Sequence, residues 1–141
     1  MHSLITKVLA LGAVTAGALG LSGCAQFSDA AHGEARSHAD GRADLRDAPS
    51  WLPADATDIS TVVGTKSSDP ATAPKSMLFT TEDGVTADRC EQVPRMSAPS
   101  LTFDEAPDPY AAQEVTKCGA WSMTSRGTRW LAWTPNTEDG K

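Results

Sequence analysis

Proline punctuates one part of this chain and is missing from the rest. All nine prolines lie between Pro49 and Pro135, and so do all four tryptophans. Proline has a fixed φ and no backbone donor, and it biases the residue before it away from helix. Pro49 and Pro53 therefore hold their stretch extended or turned, and Pro94 stops any helix begun before it. The sequence predicts a folded domain over residues 49–135, built from short elements.

Residues 58–65 are rich in β-branched side chains and read as a first strand. Residues 75–81 read as a second, with a turn at 82–84 where Gly84 supplies any positive φ. A short helix is expected over 86–92, with Thr86 as its N-cap. Residues 100–103 are expected to form a brief strand, and 108–114 one or two helical turns with Pro109 at the first position. The C-terminal end reads as a hairpin: strand 118–124, turn 125–128 with Gly127 in the left-handed position, and return strand 129–134. Alternation puts Trp121 and Met123 on one face, Leu131 and Trp133 together, and Trp130 opposite them. The expected fold class is α+β, mainly antiparallel β, in a single small domain with one or two short helices. Residues 136–141 are expected to fray.

The N-terminal region has a different character. Residues 1–7 carry a single Lys, and 8–21 are apolar and small. That run suits a signal peptide and is short for a helix crossing about 30 Å of hydrocarbon. It ends in Leu21-Ser22-Gly23-Cys24, which resembles the lipobox of bacterial lipoproteins. The resemblance implies removal of residues 1–23, a diacylglyceryl thioether on Cys24, and a protein held on the outer face of the cytoplasmic membrane. Each buried methylene contributes ~0.8 kcal/mol, so two acyl chains anchor firmly where one does not. Residues 24–48 then read as a flexible tether, since Phe27 and Leu45 are the only large apolar residues after Cys24 in it and cannot pull it into order. Such a tether has a root-mean-square span of roughly 25–30 Å.

Two further cysteines, Cys90 and Cys118, form an even pair in a chain with export features. They are expected to form a disulfide, which persists outside the cytoplasm; the alternative is two buried thiols. Lys7 is the only charged side chain before Cys24, which leaves 11 Lys and Arg against 18 Asp and Glu, a net of −7. Clustered cations are what phosphate backbones require, so no nucleic-acid partner is expected. An acidic surface also gives little adhesion to anionic lipid, which leaves the anchor to hold the membrane.

Within 49–135 there is no histidine; His32 and His38 fall in the expected tether. Ser-His-Asp and Cys-His nucleophiles and most catalytic zinc sites need an imidazole, so the region lacks their base or ligand. No nucleotide-binding or nucleophile-elbow motif is present. Glu82-Asp83 and Asp104-Glu105 are the carboxylate pairs a glycosidase would need. Asp104, Glu105 and Asp108 are candidate calcium ligands, and His32, Glu34, His38 and Asp40 a weaker metal group. No cofactor is expected. Trp130, flanked by Arg129 and Arg126 and joined by Trp51 at the sheet edge, is the candidate binding surface for a sugar ring or a protein.

A second resemblance rests on Trp51-x-Pro-x-x-Ala-Thr-x-Ile59, the cysteine pair, Cys118-Gly-x-Trp121 and Trp130-x-x-Trp133-Thr-Pro135. Together they are similar to a group of small actinobacterial lipoproteins, from which no catalytic residue carries over. The anchor-and-tether layout and the absence of histidine from 49–135 make the expected role a membrane-anchored, non-catalytic lipoprotein that binds an envelope protein or glycan. An inhibitor of an exported hydrolase such as lysozyme is the alternative, and a carboxylate-based cell-wall hydrolase a third. Metabolic labelling with palmitate should mark the wild-type chain and leave Cys24→Ala unlabelled; equal labelling of both would remove the anchor.

Overall fold

The computed structural model describes residues 33–86, 88 and 90–137. The expectations for residues 1–32, including the signal peptide, Cys24 and His32, lie outside the described residues. The described chain forms one antiparallel sheet of seven strands. They are β1 Glu34–Gly41, β2 Thr57–Gly64, β3 Lys75–Thr80, β4 Cys90–Pro94, β5 Glu114–Cys118, β6 Trp121–Arg126 and β7 Arg129–Thr134. Their spatial order is β1-β2-β3-β7-β6-β5-β4, so two meanders meet where β3 pairs with β7. The two central strands are the most apolar, and their middle residues are buried. Among the described residues no helix is long and apolar enough to cross a membrane.

The mainly antiparallel β character holds, but helix is confined to single 3₁₀ turns at Arg42–Asp44 and Pro109–Ala111 among the described residues. The second begins at Pro109 as expected, and the Asp108 carboxylate accepts from the Tyr110 N–H. The helix expected over 86–92 is not formed: Cys90–Pro94 is an edge strand, because pairing with β5 satisfies its backbone and Pro94 tolerates an edge. Residues 100–103 are loop rather than strand; there the Leu101 carbonyl accepts from the buried Ser76 hydroxyl at 2.6 Å. The single strand expected over 118–124 is two strands, folded at Gly119 with φ +62. Arg126 and Arg129 pair directly across Gly127, φ +63, so the last turn is two residues long.

The largest departure is at the start. Residues 34–48 are not a tether. Glu34–Gly41 pairs along its length with β2, from Glu34 opposite Gly64 to Gly41 opposite Thr57. The segment has little apolar surface, and only Ala39 in it is buried. Backbone hydrogen bonding to an already formed β2 compensates, and exposed charge is what an edge strand needs to resist pairing with another chain. At the other end Asn136 is held rather than frayed, its side-chain oxygen accepting from the N–H groups of Met96 and Ser97 at 2.9 Å.

Each face of the sheet carries its own core, roofed by one long connection. On the first face lie Ala39, Ile59, Met77, Phe79, Met123 and Ala132, covered by Trp51, Leu52 and Ala56 from the β1–β2 connection. Leu78, Val115, Leu131 and Trp133 form the second, against Phe103, Ala106 and Ala112 from the β4–β5 connection. The alternation expected for Met123, Leu131 and Trp133 is thus observed, with Trp133 1% exposed. Cys90 and Cys118 are direct cross-strand partners with Cα atoms 4.4 Å apart, and they form the disulfide.

The first roof is clasped by one carboxylate. Asp55 accepts from the Thr81 hydroxyl at 2.7 Å and from the Glu82 and Asp83 N–H groups at 2.8 and 3.1 Å. The Thr81 hydrogen bond, then the Asp83 N–H, hold its carboxyl below the usual carboxylate range, against the smaller opposing effect of burial. A depressed folded-state pKa stabilises the fold above the unfolded value, and that stabilisation is lost as pH falls through the folded value. Asp55→Ala should therefore lower Tm at pH 7, and the difference from wild type should shrink as pH drops below about 4. Removing the disulfide with Cys90→Ser and Cys118→Ser should cost roughly 3–4 kcal/mol in urea unfolding, the loop-closure value for this separation.

Candidate functional site

The predicted surface around Trp130 does not assemble. Trp51 is not an edge plug: it is 8% exposed and inserted between Phe79 and Trp121, with ring centroids 5.9 and 5.6 Å away. Trp130 is half-buried, its ring stacked on Phe79 at 6.3 Å with an interplanar angle of 17°. It cannot offer that face to a sugar. Arg129 is committed to the sheet, its Nη1 donating to Asp58 Oδ2 at 2.7 Å and to Thr80 Oγ1 at 2.9 Å. Asp58, at φ +49, marks the irregular register of β2, so this arginine braces a bulge. Arg126 alone is exposed, at the hairpin tip.

The candidate chemical groups also stay apart. Glu82 and Asp83 sit exposed at the β3 turn that Asp55 clasps, and Asp104 and Glu105 are exposed in the β4–β5 connection. Neither pair lines the clefts described below. Among the described residues no three His, Cys, Asp or Glu side chains come close enough to hold a metal. Neither the Asp104, Glu105 and Asp108 set nor Glu34, His38 and Asp40 forms such a group.

One exclusion changes. With β1 part of the sheet, the domain does contain an imidazole. His38 Nδ1 lies 3.3 Å from Ser60 Oγ on the paired strand, and Nε2 lies 3.6 Å from Asp40 Oδ1. Ser60, His38 and Asp40 therefore follow one another as hydroxyl, imidazole and carboxylate. The His38 side chain is 53% exposed and that of Asp40 98%. A triad depends on a buried carboxylate that fixes the ring, and this one is in water. Arg36, His38, Ser60 and Phe103 border an open cleft of about 350 Å³ on that face. Arg36 there is occupied by Glu34 Oε2 at 2.7 Å and packs 5.6 Å from the Phe103 ring centroid.

The larger cleft lies on the first face. It has a volume of about 640 Å³, within the range of small-molecule sites. Its floor is the outward face of β1–β3, with Ser37, Thr61, Val63 and Met77; the 45–49 segment walls one side, Pro70 another, and Trp121 the far end. Met77 is buried, while Leu45, Val63 and Trp121 are half-buried, so apolar surface is open to a ligand. Lys75 and Arg46 stand at its margin with Asp47, a positive balance in a chain of net charge −6. Among the described residues neither cation has an ion-pair partner.

Sequence reasoning misses this cleft because most of its wall, residues 45–48, reads as tether and only Pro49 as domain. The available signal was Leu45, an isolated large apolar residue in a polar stretch. No protein-family model matches the chain, and neither the curated proteins nor the solved structures provide a match. Val63→Arg should close the cleft while changing Tm by no more than a few degrees, because a surface substitution at a half-buried position lies near the small end of mutational effects; circular dichroism melting checks this.

Proposed function

We propose that this protein is an extracytoplasmic lipoprotein, held to the membrane through Cys24, whose domain binds a ligand non-catalytically in the first-face cleft. The observation that carries the binding part is the cleft itself: half-exposed apolar residues under two unpaired cations, in an otherwise acidic chain. Ligand sites pair an apolar lining with a few placed polar groups in this way. The non-catalytic part is supported by the exposure of His38 and Asp40 and by the separation of the carboxylate pairs from the clefts.

The anchor part is supported by the apolar run and Leu21-Ser22-Gly23-Cys24. It gains a geometric consequence from the fold. β1 starts ten residues after Cys24, so the intervening chain spans at most roughly 33–36 Å even fully extended. Glu34 shares its end of the strands with Gly64 and Lys75, so the segment after Cys24 joins the sheet on the Lys75 side of the cleft.

Cell fractionation and ligand retention test the two parts together. Wild type should sediment with membranes and Cys24→Ala should not. Solubilised envelope components retained by the wild-type chain should be lost from Val63→Arg. Retention unchanged by Val63→Arg would remove the cleft as the binding site.

A further inference from the structure

The composition of the cleft narrows its ligand. We propose that it takes a single-chain amphiphile with an anionic headgroup drawn from the anchoring membrane, an inference that rests on the binding-cleft reading above. The apolar lining is mostly aliphatic, from Leu45, Val63, Pro70 and Met77, with Trp121 the one ring. The lining residues extend from Ser37 on β1 to Trp121 on β6, four strands apart, or on the order of 15–20 Å at about 4.8 Å per strand. Lys75 stands on β3, midway, so roughly 10 Å of lining lies to either side of it, room for part of an acyl chain.

Val63 and Met77 supply its floor, and Leu45 its wall. A sugar would require a flat aromatic platform with convergent hydrogen-bonding side chains. The one ring here, Trp121, is packed at 59° against Trp51. The strand hydroxyls do not substitute, because Ser37 and Thr61 bond each other at 2.6 Å and Ser76 bonds the Leu101 carbonyl.

The headgroup follows from charge. Arg46 and Lys75 are the cations bordering the cleft, and Asp47 the single carboxylate. Desolvating an ammonium or guanidinium beside apolar surface is unfavourable unless an anion accompanies it. A phosphate or carboxylate between Arg46 and Lys75 meets that need while its chain covers Val63 and Met77. The source follows from position. Lys75 lies at the end of the strands where the segment after Cys24 joins the sheet, so this cation is on the side of the cleft that the anchored N-terminus enters.

The test titrates the full mature chain, carrying Cys24→Ser to avoid its own acyl chains, with 1-palmitoyl lysophosphatidylglycerol below its critical micelle concentration. Tryptophan emission reports occupancy, because Trp121 lines the cleft. Saturable one-to-one binding is expected, at least tenfold tighter than to uncharged monopalmitoylglycerol. Arg46→Glu with Lys75→Glu should weaken it tenfold or more at unchanged Tm, and Val63→Arg should abolish it. Equal affinity for the charged and uncharged amphiphiles, or no binding of either, overturns the amphiphile proposal. If muropeptides or an envelope protein then bind in a manner that Val63→Arg blocks, the cleft remains the binding site and only its ligand class falls. If Val63→Arg changes the binding of none of these probes, the binding-cleft reading falls with it.

Discussion

The insertion of Trp51 between Phe79 and Trp121 is the contact on which the first face depends. A seven-stranded sheet has two faces to cover, and this chain has no long helix with which to do it among its described residues. A connecting segment must serve as the roof, and a roof of irregular backbone needs a large anchor. Trp51 supplies it. Burying an indole removes about 150–250 Å² from water, a gross gain of roughly 4–6 kcal/mol. The backbone around it is tied by short-range bonds, from Leu52 to Pro49 and from Ala56 to Pro53, and by the Arg42 N–H to the Ala56 carbonyl at 3.2 Å. Asp55 then fastens the segment to the β3 turn.

That same anchoring creates the cleft. Trp51, Leu52 and Ala56 press onto the core, while residues 45–49 ahead of them stand beside β1–β3 without closing over Thr61 and Val63. The second face is treated differently. Its roof, the β4–β5 connection, is pinned at several points: Ser76 to Leu101, Arg36 to Thr102 and Asn136 to Met96 and Ser97. The face that is less fully pinned holds the larger opening.

The two sheet edges are protected by different means. β1 is mostly exposed and charged, and its Glu34–Arg36 and His38–Asp40 neighbours keep it hydrated. β4 ends at Pro94 and is joined to β5 by the disulfide. Both are local devices against edge pairing. The first explains why a stretch of alanine and charge that reads as solvated chain belongs to the fold. It also brings His38 into the domain, where it meets Ser60 across the β1–β2 pairing.

Four of the five inner strands were legible in outline, and β5 was not, because its buried Val115 stands between polar residues. β2, β3, β6 and β7 carry β-branched or aromatic side chains, and period-two alternation assigned Met123, Leu131 and Trp133 to their sides. The even cysteine pair was legible for the same reason, since chemistry specific to a residue type does not need tertiary context. β1 and β4 were not legible, because an edge strand is selected by the backbone donors of its neighbour and leaves little imprint on side chains. The surface around Trp130 failed because exposure belongs to the assembled fold, and the ring of Phe79 beneath Trp130 is contributed by a strand far away in sequence. By itself the sequence determined a small, mainly β domain closed by one cysteine pair, and an N-terminal apolar run that ends in Leu21-Ser22-Gly23-Cys24. Only the tertiary structure decided which residues border a cleft, because Leu45, Val63, Lys75 and Trp121 are brought together by sheet pairing and by one indole holding down the roof.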